Sequence, residues 1–152
     1  MEQQSYDLPG PDAVGGTGQW TLPSPDSSGR TTVTGRFLGM ASSQRTDHNR
    51  RARHVDGFAP VHVHCSTCRW TEIRIFREES GYVILRAGRT IVPGEVDRFP
   101  LSRVRTAYEV VELLTTRVDG VASLTRQPAM ALAQCAAHDV PVRDAYENRA
   151  VG

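Results

Sequence analysis

The sequence predicts an α+β domain: a small antiparallel sheet of three to five strands, followed by two or three helices, behind a disordered N-terminal arm. Three observations predict it. β-branched and aromatic runs of period two crowd the stretch from Thr31 to Val92, helix-start signals and helical apolar spacing dominate from Thr106 onward, and the first thirty residues have almost no aliphatic anchors. At 152 residues there is room for one ordinary core. Leu, Ile, Val and Phe make up 33 of those residues, close to the roughly 20% below which chains tend to stay unfolded, so that core is modest.

Residues 1–30 hold five glycines and four prolines but only Leu8, Val14 and Leu22 as aliphatic side chains. Such a segment does not offset its own ordering entropy. It reads as a flexible acidic arm, with Glu2, Asp7, Asp12 and Asp26 against Arg30, and with Trp20 as the one residue suited to docking on a partner. Residues 31–152 are the single domain.

Within that domain, Thr31 to Met40 is rich in Thr, Val and Phe, and Val61 to His64 alternates strictly. Thr71 to Arg77 puts Ile73 and Ile75 on one face, Tyr82 to Arg86 supplies another strand, and Ile91-Val92 a last short one. Gly81 marks a tight hairpin, and Pro93-Gly94 suits a type II turn. Thr106-Ala-Tyr-Glu109 fits a capping box, and Val110, Val111 and Leu114 then share a face to about Arg117, with Gly120 as the stop. A second helix runs from a first-turn Pro128 to His138; Asp139 and Pro141 interrupt it, and a last short helix spans about Val142 to Arg149.

The sharpest chemical signal is the spacing of the three cysteines: Cys65-Ser-Thr-Cys68 and Cys135-Ala-Ala-His138. Two thiolates at a tight turn, plus a Cys and a His one helical turn apart, form the ligand set of a tetrahedral Cys3His zinc site. Zn²⁺ bound there clamps the sheet to a helix and stabilises a domain with a small core. The pattern resembles zinc-ribbon and treble-clef modules in these four positions only, and departs from them in the long separation of Cys68 from Cys135. His64 and His62 alternate with Val63 and Val61 beside Cys65, so either is a substitute ligand for His138 or a hydrogen-bonding neighbour of one. The competing readings are inert buried thiols and a CxxC redox pair.

All 18 basic residues are Arg, a bias of GC-rich coding before it is a sign of nucleic-acid affinity. The net charge of +1 excludes a strongly basic, histone-like protein. Four arginines nevertheless cluster between Arg45 and His54, and Arg45, Arg50, Arg51 and Arg53 are the candidate phosphate contacts, with Arg69, Arg74 and Arg77 as their extension. No P-loop, GxGxxG, GxSxG or HExxH motif occurs, and the Glu that zinc deaminases need is missing, so the sequence leans away from an enzyme. An odd cysteine count and the lack of an apolar leader or span predict a cytoplasmic protein.

The expectation is thus a non-enzymatic binding or regulatory module, zinc-stabilised, acting through a protein or nucleic-acid contact. Two alternatives stay open: a structural subunit of a larger assembly, a viral one included, whose arm orders on its neighbours, and a CxxC thiol redox protein.

Overall fold

The computed structural model describes residues 8–24, 29–44 and 68–149. Five antiparallel strands pair in chain order: β1 (Thr17–Pro23), β2 (Arg30–Ser42), β3 (Arg69–Glu78), β4 (Gly81–Thr90) and β5 (Leu101–Val104). After them come α1 (Ala107–Leu114), a small hairpin of β6 (Thr116–Val118) and β7 (Val121–Ser123), α2 (Arg126–Ala136) and α3 (Val140–Asn148). The predicted α+β class is the one observed.

β3 and β4 are apolar on both sides because both faces of the sheet are covered. Ile73, Ile75 and Ile84 point to one face, where Val110, Val111 and Leu114 of α1, Ala131 and Leu132 of α2, and Val142 of α3 seal them. Phe76, Val83 and Leu85 point to the other, with Leu22, Val33, Phe37 and Phe99. There Phe37 stacks on Phe76 at 4.9 Å between ring centres, and Trp20 tilts against both at 5.8 and 6.0 Å. Each such ring pair contributes about 1 kcal/mol beyond its buried area.

The cover of this second face corrects the reading of residues 1–30 as an arm. Residues 8–24 are part of the fold: Leu8 and Val14 pack on the aromatic cluster, Pro11–Ala13 make one 3-10 turn, and β1 places Leu22 fully inside. Trp20 is likewise a core-flanking residue, its indole N–H donating to the Gly35 carbonyl at 3.1 Å. Few apolar side chains suffice because β1 needs only its alternate positions, Trp20 and Leu22, to reach the core.

α2 crosses β2 at Gly39, where a bulge breaks the register between Phe37 and Gly39. A β-carbon on Gly39 would lie 2.9 Å from Cys135 Sγ, 3.0 Å from its amide and 3.1 Å from the Ala131 carbonyl oxygen, so only glycine admits the helix this closely. The Gln134 side chain accepts from the Met40 amide at 2.6 Å and locks the same crossing.

Other boundaries shift for local reasons. Thr106 caps α1 through its hydroxyl, 3.2 Å from the Glu109 amide, but the Glu109 carboxylate reaches back to the Arg105 amide at 3.4 Å. α1 stops at Leu114, not near Arg117, since Asp119-Gly120 form a turn with φ of 52° and 79° that folds β6 onto β7. The fifth strand lies at Leu101–Val104, whereas Ile91-Val92 lead into the expected Pro93-Gly94 turn, closed by the Glu95 amide on the Val92 carbonyl. Val61–His64 lies outside the described residues.

Candidate functional site

The end of the sheet where β2 stops and β3 starts gathers most of the chemistry-bearing side chains. Both stems are pinned there. The Ser43 amide donates to the Thr71 carbonyl and the Thr71 amide to Ser43 Oγ, each at 2.9 Å. The Gln127 side chain, at the start of α2, donates to the Thr71 and Ala41 carbonyls at 2.7 and 3.3 Å.

Alternation along β3 then places Trp70, Glu72 and Arg74 on the aromatic face of the sheet, beyond Phe76. Glu72 and Arg74 are buried. Glu72 accepts from Arg74 at 2.6 Å, from the Trp70 indole N–H at 2.7 Å and from Arg89 at 3.4 Å, and Arg89 continues to Asp97 at 3.0 Å. Arg74 also donates to the Pro9 carbonyl at 2.8 Å, which ties the N-terminal segment into the network. Burial by itself raises the Glu72 carboxyl, but the donors from Arg74 and Trp70 and the charges of Arg74 and Arg89 outweigh it and hold the group below its ordinary range.

The arginines named as an extension of the phosphate patch have partners within the chain. Arg74 is inside the protein, Arg69 clasps Glu95 with two donors at 2.6 and 2.7 Å, and Arg77 pairs with Asp139 at 2.5 Å. All three arginines are engaged with the protein's own acids. Arg45, Arg50, Arg51 and Arg53 lie outside the described residues, as do Cys65, His64 and His62.

Of the four predicted zinc ligands, Cys68, Cys135 and His138 are described, and they are not brought to one point. Cys135 Sγ faces Gly39, the partner of Ile75 on β3, while Cys68 immediately precedes β3, opposite Ile91, its carbonyl accepting the Ile91 amide at 2.9 Å. Seven residues of strand between Cys68 and Ile75 span about 23 Å. Both thiols are buried, and burial together with the nearby Asp139 pushes the Cys135 thiol far up, which opposes the thiolate a metal requires. The His138 imidazole packs on Gly15 at the entry to β1, and Arg36 bridges the Gly15 and His138 carbonyls at 3.0 Å each. Among the described residues no three His, Cys, Asp or Glu side chains converge as a metal-holding group.

Asp139, which interrupts the expected helix pattern, clamps the sheet to the helices. Its carboxylate accepts from the Val142 amide at 3.1 Å, capping α3, from Tyr82 Oη of β4 at 2.7 Å and from Arg77 of β3. Its side chain is 2% exposed. Burial and the Asp139 charge push the Tyr82 hydroxyl far up, so it stays a donor, and the same pairing raises Arg77 further. The signal was present in the sequence: Asp followed two residues later by Pro is a helix N-cap with first-turn proline.

Comparison with known protein families, with curated proteins and with solved structures finds no match. Among the described residues no helix is long and apolar enough to cross a membrane.

Proposed function

We propose that this chain is a non-enzymatic binding module that contacts nucleic acid through Arg45, Arg50, Arg51 and Arg53, with Zn²⁺ held locally by Cys65 and Cys68 together with His64 and His62. One observation carries this reading. β2 and β3 are adjacent antiparallel strands, paired as far as Ser42 with Glu72, so a hairpin loop of about 2–5 residues would join them. The chain supplies residues 43–68 instead. Connections longer than about 12–15 residues between paired elements are usually either functional or linkers, and the four arginines and four histidines that this one carries against Asp47 and Asp56 favour the first.

A local ligand set replaces the sheet-to-helix clamp, because Cys135 is enclosed by Gly39 and α2 whereas His62, His64, Cys65 and Cys68 lie within seven consecutive positions. The burial of Cys68 counts against thiol exchange, which needs an accessible sulfur. The ion-paired platform of Glu72, Arg74, Arg89 and Asp97 gives the base of the connection a rigid mount.

The reading is tested by metal content and by retention on immobilised DNA and RNA. The expected result is one zinc per chain, lost in Cys65→Ser and kept in Cys135→Ser, and salt-sensitive retention abolished when Arg50, Arg51 and Arg53 are all replaced by Ala. Metal-free protein would overturn the zinc site; retention untouched by the triple replacement, or absent in the native chain, would overturn the nucleic-acid contact.

A further inference from the structure

The two edges of the sheet are treated differently. At one end β5 is four residues long and carries Arg103, paired with Glu78 at 2.5 Å. Short length and charge are usual defences of an edge against strand addition. At the other end β1 is seven residues long and has no charged side chain: Thr17, Gly18, Gln19, Trp20, Thr21, Leu22, Pro23.

The hydrogen bonds at both ends of β1 show which backbone groups face outward. The Phe37 amide donates to the Gly16 carbonyl, and the Ser24 amide donates to the Gly29 carbonyl, so the even-numbered residues are those bonded to β2. The amides and carbonyls of Thr17, Gln19 and Thr21 therefore point away from the sheet, and so does the position of Pro23, which has no amide to offer. The side chains of Thr17, Gln19 and Thr21 are exposed as well.

We propose that β1 pairs with β1 of a second copy of this chain, antiparallel about a two-fold axis through Gln19, joining two five-stranded sheets into one of ten strands. The edge is complementary to itself. Thr17 meets Thr21 of the second copy, Gln19 meets its own counterpart, and Thr21 meets Thr17, each pair exchanging two main-chain hydrogen bonds. A second copy meets no like charge at this edge, and the Thr pairs favour cross-strand contact. β5 turns only Leu101 and Arg103 outward, so it offers a shorter ladder, and one that carries a charge. A joint made mainly of main-chain bonds buries less area than a standard interface, so the dimer is reversible and depends on concentration.

Sedimentation of the full chain, together with amide hydrogen exchange, tests this. The expected result is a monomer–dimer equilibrium within the range of about 1 µM to 1 mM, with the Thr17, Gln19 and Thr21 amides becoming protected as the dimer forms. Gln19→Pro removes an outward amide and no bond of the internal ladder, and Thr21→Lys places a cation in the edge; both abolish dimerisation while the melting temperature at high dilution stays that of the native chain. A chain that stays monomeric at the highest concentration, or a dimer that survives both substitutions with these three amides unprotected, would overturn the proposal.

Discussion

Asp139 is the residue on which the helical layer depends most. It satisfies an orphan amide of α3, fixes Tyr82 of β4 and neutralises Arg77 of β3 from a position shielded from water. Replacing it with Ala removes the cap and leaves a buried hydroxyl without its acceptor, a loss of about 2–4 kcal/mol. Urea unfolding should show this as a lower midpoint at unchanged slope; a midpoint equal to the native one would mean that the helices are anchored elsewhere. Glu72 gives a different, pH-dependent effect. Its carboxyl is held below the ordinary value of 4.5, so its contribution is present above that pH and is lost as the pH falls through the lowered folded value. The stability gap between native chain and Glu72→Gln, measured by denaturant unfolding, should therefore be wide at pH about 7 and narrow as the pH falls below 4.5 and through the lowered folded value. A gap that stays constant across that range would remove Glu72 from the acid response.

At the scale of elements, the parts legible in the sequence are those whose pattern is both dense and local. β2, β3 and β4 are dense in β-branched, aliphatic and aromatic residues, and α1 begins with a Thr and a Glu at capping distance. β1 was illegible because only Trp20 and Leu22 mark its inner face among glycines and prolines, and its stability comes from pairing with the thirteen-residue β2. The β6–β7 hairpin was missed for a different reason: Asp119-Gly120 is a hairpin turn and a helix stop alike, and only the strands on either side distinguish them. The two x2 cysteine spacings are local signals in the same way. Each pair suits a metal locally, but the chain distance between them carries no information on whether α2 meets the sheet at Cys68 or, as Gly39 dictates, far along β2. The β1 edge belongs to this scale too, since neither its place at the edge of the described sheet nor its symmetry is visible before the strand is placed.

Over the whole molecule, two groups of arginines stand apart. Arg69, Arg74, Arg77, Arg89 and Arg103 are spent on internal acids and hold strands to one another and to the N-terminal segment. Arg45, Arg50, Arg51 and Arg53 sit in a connection that the strand pairing does not need, which is why function is assigned to them and architecture to the rest. The most direct measurement of that division is the salt dependence of duplex DNA binding by the native chain and by the chain with Arg50, Arg51 and Arg53 replaced by Ala. Each lost phosphate contact lowers the slope of log affinity against log salt by about 0.9, so the triple replacement should flatten it by between about 2 and 3. An unchanged slope, or a native chain with no affinity at low salt, would contradict the assignment.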